Sequence, residues 1–200
     1  MEYSVKRILV TGFKPFLGET LNPSSLILKE LKDAEVDTLL LPVSFDTVFE
    51  TLERHWDSKG PYDGLLMLGQ AGGRKAVCLE RVAINWMEGK VMDEDGVIPP
   101  VGTLMDGAPA AYISDFFPAG WVEALKSVGP VEVSHSAGAY VCNALYFQAL
   151  HQFPQDVPAL FTHVPYLPEQ VVNKPEGTPS MDLATQVKIV KALIRLMKAH

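Results

Sequence analysis

Few residues of this chain are suited to covalent chemistry, since it holds only two cysteines, Cys78 and Cys142, and five histidines. Cys142 follows Ser134-His135-Ser136-Ala137-Gly138-Ala139-Tyr140-Val141, where an apolar run at 131–133 gives way to small residues. Helical spacing then runs through Val141, Leu145, Ala149 and Phe153. The pattern predicts strand, tight turn and helix, with Cys142 in the first helical turns. Free N–H groups and the positive dipole end at that position favour a thiolate and an oxyanion on an attacked carbonyl. The competing reading is a buried cysteine acting as a small hydrophobe.

A thiol nucleophile needs a base, because at an unperturbed pKa of about 8.5 only a few per cent is thiolate at neutral pH. His163 ends an apolar strand and precedes Val164-Pro165, which brings it to the rim of a sheet. A hydrogen-bonded strand-end histidine with no chemical duty is the alternative. His55, His151 and His200 are expected at the surface, and His135 as a cap or solvent-facing residue of the turn. A third group would orient the imidazole and stabilise its protonated form. Glu80, inside Val77-Cys78-Leu79-Glu80-Arg81-Val82-Ala83-Ile84, is the acid most in need of a partner or a use, because desolvating a charge is costly. The alternative is an edge strand whose Glu80 and Arg81 face water. Cys78 lacks a helix terminus and reads as core.

These residues need a scaffold that brings their loops together. Strand signals at 5–11, 38–43, 62–68, 76–85, 131–134 and 159–164 alternate with helical ones. Asn22 and Pro23 open the first helix, and Ser44 or Asp46 caps the second, whose inner face is Val48, Phe49, Leu52 and Trp56. Further helices are expected at 117–128, 138–153 and 182–198, and 86–112 reads as a long loop. Such alternation predicts one α/β domain over 1–200, a mostly parallel sheet covered on both faces. Ligands bind beyond the carboxyl ends of such strands. The loops there carry Phe13 and Phe16, Gln70 to Arg74, Cys142 and His163. Phe13 and Phe16 read as apolar walls of a pocket. The glycines after Gln70 lack phosphate-loop spacing and suit close backbone approach to a small neutral ligand.

Composition removes other classes. Apolar residues make up 48% and charged ones 20%, which is globular, and no uncharged run approaches a membrane span. A net charge of −7 without a basic block argues against nucleic acid and anionic membranes. Two cysteines without metal-ligand spacing argue against zinc. The start, Met1-Glu2-Tyr3-Ser4-Val5-Lys6-Arg7, has no signal-peptide core, so a cytoplasmic location without disulfides is expected.

Six blocks in order resemble those of the pyroglutamyl peptidase I (pyrrolidone carboxyl peptidase) family. They are Thr11-Gly12-Phe13-Lys14-Pro15-Phe16; Asn22-Pro23-Ser24; Gly69-Gln70-Ala71-Gly72-Gly73-Arg74; Glu80-Arg81-Val82-Ala83-Ile84-Asn85; Ser136-Ala137-Gly138-Ala139-Tyr140-Val141-Cys142-Asn143; and His163-Val164-Pro165-Tyr166-Leu167-Pro168-Glu169-Gln170. The resemblance implies a three-layer α/β/α sandwich, phosphorylase- or hydrolase-like, and a cytosolic cysteine exopeptidase that removes N-terminal pyroglutamate from peptides. It implies Cys142 as nucleophile, His163 as base and then acid, and Glu80 as the group orienting His163. Phe13, Phe16, Gln70 and Tyr140 would line the lactam pocket. No metal or other cofactor is implied, and a homotetramer is. Two positions depart from the pattern: Leu17 stands where a glycine is usual, and Lys90 where an arginine is expected near the oxyanion. The rival readings are a non-catalytic binding module and a nucleoside-phosphorylase-like enzyme on a related fold.

Overall fold

The computed structural model describes residues 7–33, 35–114, 116 and 120–199; expectations for 5–6, 117–119 and 200 lie outside the described residues. Six strands form one mixed sheet: β1 (Ile8–Phe13), β2 (Val36–Leu41), β3 (Gly64–Gln70), β4 (Val77–Glu80), β7 (Val131–Ser134) and β8 (Ala159–Val164). Their order is β2-β1-β3-β8-β4-β7. Neighbours run parallel except β4 against β8. Two short strands, β5 (Val82–Ile84) and β6 (Ala111–Ile113), form a separate antiparallel pair.

Successive strand side chains point to opposite faces, so apolar runs such as Leu65-Leu66-Met67-Leu68 supply two cores at once. On one face Ile8, Val10, Leu66, Leu68 and Leu160 pack with α1 (Pro23–Glu30), α3 (Trp121–Lys126) and α5 (Leu183–Ala199) through residues such as Ile27, Leu125 and Leu193. On the other, Leu9, Leu65, Met67 and Phe161 pack with α2 (Val48–Lys59) and α4 (Val141–Gln152) through Leu52, Val141 and Leu145. This is the expected α/β/α sandwich. Among the described residues no helix is long and apolar enough to cross a membrane.

The expected strand at 76–85 is two strands. The chain leaves the main sheet after Glu80, and Arg81 N–H donates to Ser134 O before β5 begins a second pairing. The hydrophobic run continues across this break because β4 is buried throughout and β5 at its centre, which hides the change of partner from periodicity. Part of the 86–112 stretch is likewise ordered by β6 and by the bridge between Met87 and Gly102. Helix α2 starts later than expected, at N-cap Thr47, with Ser44 Oγ accepting from Thr47 N–H.

The first βα unit fixes the loop after β1. Asn22 caps α1: its Oδ1 accepts from Ser24 N–H at 3.0 Å and from the Ser24 hydroxyl at 2.8 Å, while Nδ2 donates to Lys14 O at 3.0 Å. Ser24 Oγ in turn accepts from Phe13 N–H at 2.9 Å. Leu17, in the same loop, has φ 54°, a left-handed conformation that costs a non-glycine residue about 1 kcal/mol and explains why glycine suits this place. We expect Asn22→Ala to lower unfolding stability by about 2 kcal/mol, since it removes the cap and orphans Lys14 O. Urea unfolding at unchanged slope measures this, and a loss within experimental error would refute the role of the cap.

Candidate active site

Three residues that the sequence singled out meet on the α4 face of the sheet. His163 on β8 lies in register with Gly69 of β3 on one side and Cys78 of β4 on the other. Alternation along β4 puts Glu80 on the same face as Cys78. The His163 imidazole therefore reaches Glu80: Nδ1 and Oε1 are 2.8 Å apart. His163 is 4% exposed and Glu80 0%, so the edge-strand alternative for Glu80 does not hold. β4 is an inner strand, flanked by β8 and β7.

Cys142 is the second residue of α4, after N-cap Tyr140, and no side chain caps this end. The helix begins at Val141, later than the expected 138, which brings the cysteine closer to the terminus. The small-residue turn allows this start, with Gly138 at φ 83°. Its sulfur reaches the sheet at Gly69, where an added Cβ would lie 3.0 Å from Cys142 Sγ and 2.8 Å from Phe161 Cζ. Only glycine leaves that space, and Gly69 is the residue in register with His163. Thiol and imidazole thus share one corner of the sheet.

Cys142 is half-buried as a residue, but its sulfur, turned in against Gly69, has lost its hydration; this first, and the Glu80 charge second, push the thiol up to about 12, opposed by its own N–H. At neutral pH the site therefore rests as a thiol. Cys78 is buried, its thiol also pushed up by burial, with Sγ directed at Ala76 O. It is core, as expected. His135 is exposed, whereas His55 and His151 are half-buried and engaged by tyrosine hydroxyls, Tyr62 at 3.1 Å and Tyr112, in place of the surface setting expected of them.

The pocket-wall residues divide. Phe13 is buried, Phe16 and Tyr140 are half-buried, and all belong to the α2–α4 side with Cys142. The Phe16 and Tyr140 rings lie 6.1 Å apart, and Phe45 meets Tyr140 edge-on at 5.1 Å. Gln70 alternates to the opposite face, where its Oε1 accepts from Gln170 Nε2 at 2.8 Å, so it offers the Cys142 side its main chain and not its amide. Lys90 is exposed and, among the described residues, is not hydrogen-bonded to the site.

The sequence reading missed the residues that brace this corner. Asn143, fully buried, accepts from Ile84 N–H at 2.9 Å and donates to Ile84 O at 2.9 Å and Trp86 O at 3.0 Å, locking α4 to β5. A lone amide beside Cys142 in an otherwise apolar helix start was the available signal. The Tyr146 hydroxyl donates to Glu80 O at 2.9 Å. The 86–102 segment folds over Tyr140: its hydroxyl donates to Met92 O at 3.0 Å, and Glu88 N–H donates to Ala139 O at 2.8 Å.

Fold and site together define an α/β/α enzyme with a thiol at a helix start and a carboxylate-braced imidazole beside it. A model of the pyroglutamyl peptidase family matches residues 6–199, and the chain belongs to that family. It is 40% identical to the pyrrolidone-carboxylate peptidase of Thermococcus kodakarensis, over 96% of this chain and 95% of the relative. The crystal structure of pyrrolidone carboxyl peptidase from Fervidobacterium islandicum AW-1 superposes with a TM-score of 0.90 at 40% identity, covering 96% of this chain and 98% of that one. Pyroglutamyl peptidase I from Bacillus amyloliquefaciens gives 0.91 at 34% identity, covering 98% and 96%.

A thiol held up near 12 gains thiolate about tenfold per pH unit below that value. Iodoacetamide alkylation of Cys142 in the resting protein is thus expected to climb continuously from about pH 6 to 9, followed by mass spectrometry of the modified peptide. A plateau in that range would reveal a preformed thiolate–imidazolium pair and overturn the raised thiol.

Proposed function

We propose that this chain hydrolyses the bond after an N-terminal pyroglutamyl residue of peptides, with Cys142 as nucleophile, His163 as base and then acid, and Glu80 orienting His163. The observation that carries the reading is the buried His163–Glu80 pair at 2.8 Å, set beside the glycine against which the Cys142 sulfur rests.

The carboxylate can only accept, so it holds the imidazole with its proton on Nδ1 and leaves Nε2 with a lone pair. Since the thiol rests protonated, attack requires proton transfer to Nε2 as the sulfur approaches the pyroglutamyl carbonyl. Glu80 stabilises the imidazolium that forms. The oxyanion of the tetrahedral adduct is bound by the N–H of Cys142 at the uncapped start of α4. His163 then returns the proton to the departing amine, giving a thioester, and afterwards activates the water that releases pyroglutamate and regenerates the thiol.

The walls explain the choice of acyl group. Phe13, Phe16 and Tyr140 put apolar rings on the Cys142 side of the sheet, walls suited to a compact neutral lactam, with peptide groups at the end of β3 for its polar atoms. A protonated amino terminus would lose its hydration there without a carboxylate in return. Residues past the scissile bond leave the pocket and are broadly tolerated, proline excepted.

Its partners in this reading are peptides and not nucleic acid or membranes, supported by the net charge of −7. It is a single cytoplasmic catalytic domain that works as a homo-oligomer, a tetramer by family resemblance. Exposed Val91, Met92, Val97, Ile98, Val101 and Ile113 on and beside the excursion support the association.

Incubation with a chromogenic pyroglutamyl amide should release the chromophore, and Cys142→Ser should lower kcat/KM by about a thousandfold or more. Release that persists in Cys142→Ser, or no release by the unmodified protein, would refute the mechanism.

A further inference from the structure

Glu80 is a strange place for a charge. It is fully buried; Oε1 holds His163, and Oε2 has no hydrogen-bond partner among the described residues. A carboxylate so desolvated needs compensation from a cation. Histidine cannot supply it in the resting state of the mechanism above, where the imidazole is the neutral base. Facing Glu80 are His163 from β8, Arg74 from the β3–β4 loop, Cys142 and Tyr146 from α4, and Cys78 two residues earlier in β4; Arg81, next along the chain, and Glu132 of β7 also act on Tyr146 and Cys78 respectively.

Arg74 supplies the permanent charge. Its guanidinium nitrogen lies 3.4 Å from Glu80 Oε1, the same oxygen that holds His163, and donates to Ser136 O at 3.2 Å. Arg74 thus ties three parts of the site: the loop after β3, the acid of β4, and the turn that leads into the Cys142 helix. It closes the corner at its solvent side, with its own side chain 33% exposed. The same guanidinium nitrogen faces both the Glu80 carboxylate and the Ser136 carbonyl, so a single group links β4 to the turn before α4.

We propose that Arg74 is a positioning residue of the reaction, which sets a fixed positive charge against the buried Glu80 carboxyl and holds it aimed at His163 Nδ1 without touching the substrate. The inference rests on the peptidase reading. It follows that Arg74 acts on the chemical step and its pH dependence while leaving the lactam pocket alone. Neutralising it favours the protonated form of the neighbouring carboxyl. A protonated Glu80 can no longer stabilise the imidazolium, so turnover fails at a higher pH than in the wild type.

The test is the pH profile of kcat and KM for a chromogenic pyroglutamyl amide in the wild type, Arg74→Gln and Arg74→Lys, with folding checked by circular dichroism. In Arg74→Gln, kcat should fall about tenfold or more with KM within about twofold, and the acid limb of kcat/KM should move to higher pH by about half a unit or more. Arg74→Lys retains the cation, so its acid limb should stay at the wild-type position while kcat falls less. A wild-type-like kcat and acid limb in Arg74→Gln would overturn the proposal. So would an acid limb in Arg74→Lys displaced upward by half a unit, which remains readable if the glutamine variant does not fold. A wild type that releases no chromophore would instead refute the peptidase reading itself.

Discussion

The site depends on one constraint, the burial of the Glu80 carboxylate within the sheet. A charge at 0% exposure is tolerable only where hydrogen bonds and opposite charge return what hydration gave. The mixed sheet makes this possible, because the one antiparallel neighbour pair among the main strands sets β4 against β8 and registers Cys78 with His163. That register puts the acid and the imidazole on the same face at hydrogen-bonding distance. A shift of one residue would turn Glu80 into the apolar core formed by Val77 and Leu79, with no partner there. The His163–Glu80 pairing and the correct strand register are therefore the same physical requirement.

The same constraint decides how the thiol is used. A nearby imidazole would ordinarily invite a thiolate–imidazolium pair, but here burial and the Glu80 charge both oppose a second negative group. The corner already holds one anion and stabilises that one. In the proposed mechanism negative charge is made on sulfur only as it is passed to the carbonyl oxygen, which faces the α4 start. The uncapped helix end then serves the oxyanion more than the resting sulfur. Gly69 contributes by being small: it lets Cys142 Sγ lie against the strand beside His163, a closeness that any side chain there would prevent.

Much of this was legible in the sequence, and for physical reasons. Asn22-Pro23 marked the start of α1 because cap chemistry is local, and the strand at 159–164 was bounded correctly because its run ends at a proline. Cys142, His163 and Glu80 stood out as a thiol at a helix start, an imidazole at a strand end and a charge in an apolar run. What escaped was set by tertiary contacts. The split at Arg81 left no trace in hydrophobicity, since β4 is buried throughout and β5 at its central residue. Gln70 could be placed at the end of β3 but not on a face, because the last residue of a strand may turn either way, and its pairing with Gln170 crosses from a distant loop. Arg74 and Asn143 were visible as letters of motifs, yet their partners Ser136, Glu80, Ile84 and Trp86 are fixed only by the fold.

The segment that sequence periodicity could not resolve has a definite relation to the site. Asp93, buried, accepts from Val97 N–H and Phe45 N–H, and Glu94 accepts from Val43 N–H while pairing with Lys14. These bonds anchor the excursion to the ends of β1 and β2, and Met92 O fixes the Tyr140 hydroxyl. Burial, with Asp93 nearby, pushes the Tyr140 phenol up to about 12, so it stays a neutral donor. With its hydroxyl committed to the excursion, Tyr140 can give the pocket only its ring. In the proposed reading the pocket's apolar character follows from where the polar atoms of its walls are spent: Tyr140 on Met92, and Gln70 on Gln170. In that reading a neutral ring substrate suits these walls, where Asp93 and Glu94 are already engaged by backbone N–H groups and the Glu80 charge lies with His163 and Arg74.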